Sequence, residues 1–189
     1  MIVKIIPASG TDFHGVQYND KKVEKGTGEL MLMKNFPSFI NGDSSPEQVR
    51  DYFKSISKNE KVKKPQFHAV ISAKYQNHSK EELTEIAKDF MQEMGYGKQP
   101  FIVVYHSDTE NNHVHIVSTR VDKQTGKKIN DSYERLKAQK ALADLLEKRY
   151  GISSEEKLEK LLNYQIGSIS QLELLFERSG FKLTKDTNN

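Results

Sequence analysis

Ten residues near the middle of the chain, His106-Ser107-Asp108-Thr109-Glu110-Asn111-Asn112-His113-Val114-His115, hold half of its six histidines and lie between two apolar stretches. Pro100-Phe101-Ile102-Val103-Val104-Tyr105 precedes them, and Val114, Ile116, Val117 and Val121 carry the same β-branched preference onward. Two such runs around a polar turn predict a β-hairpin. Successive side chains on a strand point to opposite faces, so His113 and His115 share one face and Val114 points to the other. With the ladder closing near the loop, His106 at the end of the first strand supplies a third imidazole, beside Asp108, Thr109 and Asn111. An isolated His-x-His pair is ordinarily solvated. Three histidines next to a carboxylate, flanked by core strands, are costly to assemble for packing alone and read as a metal site with open positions for substrate.

The rest of the chain predicts an α/β (α+β) fold. Val3-Lys4-Ile5-Ile6 suggests a first strand, and Asp12 is placed to cap a short helix carrying His14 and Tyr18, ended by Lys25-Gly26-Thr27-Gly28. Ser45-Pro46-Glu47 has the cap-then-proline form of a helix start, with Val49, Phe53 and Ile56 on the buried face as far as about Lys58. Gln66 to Ala73 reads as a strand. Ser79-Lys80-Glu81-Glu82 resembles a capping box and opens a helix with Leu83, Ile86, Ala87, Phe90 and Met94 at helical spacing, stopped at Gly95-Tyr96-Gly97. Strand, helix, strand in that order predicts two parallel strands joined by a crossover, with helices over one face. After a turn at Gln124-Thr125-Gly126-Lys127, Ser132 is expected to cap a helix to Tyr150 with Leu136, Ala138, Ala141, Leu142, Leu145 and Leu146 as its stripe. Shorter helices are expected over Ser154 to Asn163 and Ser170 to Ser179, with Gly180-Phe181-Lys182-Leu183 closing the second and a loose polar tail from Lys185.

Composition narrows the class without identifying it. A chain of 189 residues suits one domain with a real core and a short appendage. With no cysteine there are no disulfides or thiolate ligands, and no secretory or transmembrane stretch is visible, so a reducing cytoplasm is the expected setting. A net charge of +3 is too mild to point to nucleic acid by itself. Local clusters say more: Lys58, Lys61, Lys63 and Lys64 in one linker, and Arg120, Lys123, Lys127 and Lys128 after the histidine strand. Such groups meet phosphates, though each is equally read as a solvated loop residue.

The segment HSDTENNHVHIVSTRVD resembles the third motif of plasmid mobilisation relaxases of the HUH endonuclease superfamily, most closely the P-type mobilisation relaxases. Its pattern His-x-Asp-Thr-x-Asn-x-His-x-His is matched at every specified position. Phe13-His14-Gly15-Val16-Gln17-Tyr18-Asn19-Asp20-Lys21-Lys22 is similar to the first motif, with the nucleophilic tyrosine falling on Tyr18, and Asp131-Ser132-Tyr133-Glu134-Arg135 is similar to the entry into the long helix that follows. The resemblance covers residues 1 to about 150 and implies a relaxase domain there, with an antiparallel or mixed central sheet flanked by helices. Residues 151–189 then form a helical extension that reads as the start of a region cut short.

What the resemblance implies is a site- and strand-specific DNA endonuclease, or transesterase, that nicks one strand at an origin of transfer and starts conjugative mobilisation of a plasmid or integrative element. Tyr18 would attack the phosphodiester to give a 5′-phosphotyrosyl link and a free 3′-hydroxyl, with His106, His113 and His115 holding a divalent cation against the non-bridging oxygens. Three imidazoles suit zinc, nickel or manganese and a phosphate oxygen favours magnesium, so Mn²⁺ or Mg²⁺ is expected. A tyrosine hydroxyl with its ordinary pKa of about 10 needs help at neutral pH, and Asp108 is the candidate base or, alternatively, the acceptor that orients a ligating imidazole. His14, four residues before Tyr18, is the alternative nucleophile.

Lys21, Lys22, Lys25, Arg120 and Arg135, with Lys137, are the expected DNA contacts, although strict alternation turns Arg120 to the strand face opposite His113 and His115. His68 either lines the site or is satisfied within the sheet, and His78 is expected in solvent. Expected partners are single-stranded DNA, accessory mobilisation proteins and a type IV secretion coupling protein. Two rival readings stand beside this one: a rolling-circle replication initiator of the same superfamily, whose tyrosine follows the metal motif and would here be Tyr133 or Tyr150, and a DNA-binding module without catalysis.

Overall fold

A computed structural model describes residues 1–73, 78–151, 158–159, 161–163, 167–178 and 181. Half of the expected helix over Ser154 to Asn163 lies outside these residues, as do Gly180 and the polar tail from Lys185.

Five strands form one sheet in the order β1-β3-β5-β4-β2: β1 (Ile2–Ile5), β2 (Gly28–Lys34), β3 (Gln66–Ser72), β4 (Phe101–His106) and β5 (His113–Thr119). Every ladder is antiparallel. Because β3 and β4 both run antiparallel to β5, they are parallel to each other, as the strand-helix-strand order predicts. They are not neighbours, for the hairpin folds β5 back between them and takes both ladders.

Helices cover both faces of the sheet, not one. On one face α3 (Lys80–Glu93) and α4 (Glu134–Tyr150) bury Leu83, Ile86, Phe90, Ala138, Leu142 and Leu145 against Phe67, Ala69, Ile71, Val103 and Ile116. On the other, α1 (His14–Glu24) and α2 (Pro46–Ile56) bury Phe13, Val16, Val49 and Phe53 against Ile102, Val104 and Val117. The near-continuous apolar runs in β3, β4 and β5 are what strands buried on both sides require. Among the described residues a further helix, α5 (Ile169–Arg178), follows.

Local signals set several of these boundaries. Ser45 caps α2 in a full capping box with Gln48, and Pro46 opens the first turn. Ser79 accepts from the Glu82 amide at the head of α3, and Gly95 takes a φ of 79° just past its end. Two expected caps fail. The residue before α1 is Phe13, not Asp12, and the residue before α4 is Tyr133, not Ser132; both are left-handed and neither makes a side-chain cap bond. Phe13 is buried and stacks on Phe53 at 5.1 Å. Burying a phenylalanine contributes about 2 kcal/mol, which offsets the roughly 1 kcal/mol cost of a left-handed residue. Tertiary burial thus overrides the polar cap. Leu136, expected in the apolar stripe of α4, is exposed, and the buried stripe runs through Ala138, Ala141, Leu142 and Leu145.

The strand β2 has no counterpart in the sequence reading. It is an edge strand with a register shift between Leu30 and Leu32, and its side chains are partly exposed on both faces, so no alternation marks it. Its pairing matters for the site. Gly28 stands opposite His106, and the Ser107 amide donates to the Thr27 carbonyl, which ties the α1–β2 connection to the end of β4.

Candidate active site

The hairpin delivers its three histidines as the alternation predicts. His106 pairs directly with His113 across β4 and β5, and His115 stands opposite Val104, two residues further in. All three lie on the face covered by α1. The His106 and His115 rings are stacked at 4.3 Å between centroids, and the His113 ring lies 5.2 Å from His106 and 5.3 Å from His115. One ring nitrogen from each can be chosen so that all lie within 4.8 Å of one another.

Hydrogen bonding shows what such a set fits. The Nδ1 of His113 is 3.0 Å from the Asn111 carbonyl, to which it donates, and the Nδ1 of His115 is 2.9 Å from the Nε2 of His68. His106 is fully buried, and neither of its nitrogens has a partner. An unsatisfied buried imidazole costs roughly 1–3 kcal/mol, so it marks a place where another ligand belongs. Burial, and then the repulsion of His113, pulls the His106 pKa down to about 4; burial, and then His106, pulls His115 down to about 2. Both rings are therefore neutral at physiological pH, the form that ligates a metal. The donor set fits a divalent cation with positions left for substrate.

Tyr18 lies over this cluster, its ring 5.5 Å from His115 and 5.9 Å from His106 between centroids, and about half exposed. It gets there because α1 approaches the sheet closely at Gly15, whose amide donates to the buried Gln66 side chain at 2.8 Å. A Cβ at Gly15 would stand 3.0 Å from that Gln66 oxygen, 3.1 Å from His68 Nδ1 and 3.1 Å from Val117. Gly28 plays a similar part at the other end, since a Cβ there would be 3.0 Å from the Cβ of Lys22.

The other expected residues divide. Lys22 sits over the Tyr18 ring at 5.8 Å from its centroid and donates to Asp108. That bond, the largest influence on Asp108, holds its carboxyl below the usual range. Asp108 is thus engaged by a lysine and not by a histidine, and a carboxylate so stabilised is a weak base. His14, the first residue of α1, is exposed, with Asp12 3.9 Å from its Nε2. Lys21 and Lys25 are exposed at the end of α1.

Arg120, expected to contact DNA, is instead buried: it forks onto Glu134 with bonds of 2.9 and 2.5 Å and donates to the Gln66 carbonyl. Its guanidinium is a clamp between β3, β5 and α4, not a phosphate contact. Arg135 is exposed at the start of α4, on the helix pair covering the far face of the sheet, so the fold does not bring it to the histidines. Tyr133 and Tyr150, the tyrosines of the replication-initiator reading, bracket that same helix. Tyr150 donates to Glu82 of α3. His78, expected in solvent, is partly buried and pairs with Glu82 at 3.0 Å.

Sequence reasoning left His68 undecided and did not single out Gln66 or Gly15. The available signal was two polar residues, Gln66 and His68, alternating with apolar ones at the start of β3, both buried on the histidine face.

A paired-strand histidine triad thus lies beneath a helix-borne tyrosine on a five-stranded antiparallel sheet. Residues 18–152 match the family model described as relaxase, MobA/VirD2-like, nuclease domain. The chain belongs to the MobA/VirD2-like relaxase family. A solved structure described as "Molecular Basis of Vancomycin Resistance Transfer in Staphylococcus aureus" is similar at 18% identity, over 65% of this chain and 70% of that one, with a TM-score of 0.40. No curated protein matches the chain significantly. Among the described residues no helix is long and apolar enough to cross a membrane.

Proposed function

We propose that this chain nicks one strand of DNA at an origin of transfer through attack by Tyr18, holding the cleaved strand as a 5′-phosphotyrosyl adduct to begin conjugative mobilisation. The observation that carries this reading is the position of the Tyr18 ring, 5.5 and 5.9 Å from two rings of the histidine cluster. Phosphodiester cleavage needs a nucleophile and a positive site within one phosphate's reach of each other.

The Tyr18 oxygen forms the new bond to phosphorus as its proton leaves to solvent, which the half-exposed ring permits. The bond from phosphorus to the 3′-oxygen breaks, and that oxygen takes up a proton from water. The phosphoester energy is retained in the tyrosyl link for later rejoining. Lys22 holds a positive charge over the Tyr18 ring, where it would face the incoming phosphate, and Asp108 keeps Lys22 there. His106, His113 and His115 would hold the cation, Mn²⁺ or Mg²⁺, whose charge when bound neutralises the phosphate and lowers the barrier by several kcal/mol. Lys21 on the last turn of the same helix, and Lys25 just past its end, would contact flanking phosphates without reading sequence. Single-stranded DNA is the substrate in this reading, and accessory mobilisation proteins and a type IV coupling protein are its partners.

The test is incubation with Mn²⁺ or Mg²⁺ and single-stranded DNA carrying candidate nick sites, read by denaturing gel and peptide mass spectrometry. A covalent adduct on Tyr18, absent with chelator and absent in Tyr18→Phe, is expected. An adduct that survives Tyr18→Phe but not His14→Ala moves the nucleophile to His14, and one on Tyr133 or Tyr150 makes the chain a replication initiator.

A further inference from the structure

The hydrogen bond between His68 and His115 links the histidine cluster to a part of the sheet that the nicking reaction does not itself use. His68 is buried in the middle of β3, on the face that carries His115 on the adjacent β5, and the two rings meet at 2.9 Å between Nε2 and Nδ1. Two neutral imidazoles can share such a bond in only one of two ways. If His115 carries its proton on Nδ1, it donates to His68 and its Nε2 lone pair is free to ligate. If His68 donates instead, His115 must carry its proton on Nε2 and cannot ligate through that atom. The tautomer of one ring fixes the tautomer of the other.

The far side of His68 faces α1. Its Nδ1 lies 3.1 Å from where a Cβ on Gly15 would stand, one turn before Tyr18. The same ring therefore lies between the helix that carries the tyrosine and a member of the histidine triad.

We propose that His68 is a positioning residue: it accepts the Nδ1 proton of His115, so holding His115 to coordinate through Nε2, and it supports α1 at Gly15 so that Tyr18 stands over the ring it has oriented. The proposal rests on the metal-site reading above. Ligating histidines ordinarily donate their second N–H to a carboxylate, carbonyl or water. Here the acceptor is an uncharged imidazole, so the support adds no negative charge behind the cluster.

The experiment has two parts. In the metal-free wild-type protein, long-range proton–nitrogen correlation spectra of the histidine rings report the His115 tautomer directly. The Nδ1–H form is expected, and the Nε2–H form would overturn the proposal whatever the protein does with metal. Calorimetric titration with Mn²⁺ alone then compares wild type with His68→Leu, which removes the acceptor, and His68→Gln, whose side-chain oxygen can replace it. Loss of an outer partner weakens metal affinity by roughly 10- to 100-fold. That loss is expected in His68→Leu, with recovery of most of it in His68→Gln. Wild-type affinity in both variants overturns the positioning role. If His68→Leu fails to fold, the wild-type tautomer and the His68→Gln affinity still decide. Absence of Mn²⁺ binding in the wild type would instead remove the metal-site reading, while the tautomer would still report on the His68–His115 bond.

Discussion

The ring of Tyr18 stands 5.5 Å from the ring of His115, inclined at 41°, although the two residues belong to different elements and are far apart in the chain. That relationship requires α1 to lie on one face of the sheet and β5 to turn its odd-numbered residues to the same face. A nucleophile and a ligand set on opposite faces could not meet around one phosphate.

Lys22 gives the first prediction. Asp108 bonds to Lys22 and not to a triad histidine, so Asp108→Asn should loosen the cation over Tyr18 and leave the ligands in place. General-acid or electrostatic assistance of this kind is worth on the order of 10²-fold. Single-turnover adduct formation should fall by about that factor while Mn²⁺ affinity stays near wild type. A loss of metal affinity as large as the loss of rate would return Asp108 to the role of an acceptor behind the ligands.

His106 is buried with both nitrogens unpartnered, which makes it a burden on the metal-free fold. Replacing it by leucine removes an unsatisfied group costing roughly 1–3 kcal/mol. His106→Leu should therefore unfold at higher urea than wild type in chelator. It should also lose the added stability that saturating Mn²⁺ gives the wild type, about 2.7 kcal/mol at a hundred times Kd. Lower stability in chelator would show that His106 has a partner in solution.

Gly15 sets how closely the tyrosine helix approaches. An alanine there would bring a methyl within 3.0 Å of the Gln66 oxygen and 3.1 Å of His68 and Val117. The helix-propensity gain of about 1 kcal/mol opposes this crowding, so stability should change little. The rate should change more, because a displacement of about 1 Å can cost 10²-fold. Gly15→Ala is expected to slow adduct formation about tenfold or more at nearly unchanged urea midpoint. An unaltered rate would show that α1 shifts without moving Tyr18.

Arg120 and Glu134 are both almost fully buried and paired. Removing one partner of a buried pair destabilises by about 3–5 kcal/mol. Arg120→Ala should show that loss in urea unfolding while the salt dependence of DNA binding keeps its slope, since a phosphate contact would lower the slope by about one. In Arg120→Ala/Glu134→Ala the loss should be smaller than the sum of the single variants. Strict additivity would mean that the two side chains are not coupled.

Tyr150 provides a pH signature. Burial, and then its bond to Glu82, pushes its pKa up to about 12. With an unfolded value near 10, the favoured protonated form contributes stability that is fully present below pH 10 and is lost as pH rises toward 12. The difference in ultraviolet tyrosinate absorbance between wild type and Tyr150→Phe should titrate near 12. A transition near 10 would show that the hydroxyl is not held by Glu82.

Much of the site could be read from residues alone because a β-hairpin is local. The apolar runs around His106 to His115 specify two paired strands, and the two-residue period of a strand then puts His113 and His115 on one face. The spacing of Leu83, Ile86 and Phe90, the Ser45 and Ser79 caps and the Gly95 stop are equally local, and those helices form where the pattern puts them. The charged residues were harder. Arg120 and Arg135 both read as DNA contacts in sequence, yet at the start of α4 one is buried against Glu134 and the other is exposed, a distinction that depends on what α4 packs against.

The chain by itself determined the hairpin, its three histidines and the apolar faces of the helices, since each follows from spacing over a few residues. Only tertiary structure decided that β5 inserts between β3 and β4, that an unpatterned edge strand pairs beside His106, and that Phe13 replaces Asp12 at the head of α1. Those outcomes depend on which surfaces bury one another across long stretches of chain, and a burial of about 2 kcal/mol for one aromatic ring is enough to override a local polar preference. The approach of Gly15 to Gln66 and His68, which places Tyr18 over the triad, belongs to the same class: it arises where a helix and a sheet pack closely enough that no side chain fits between them.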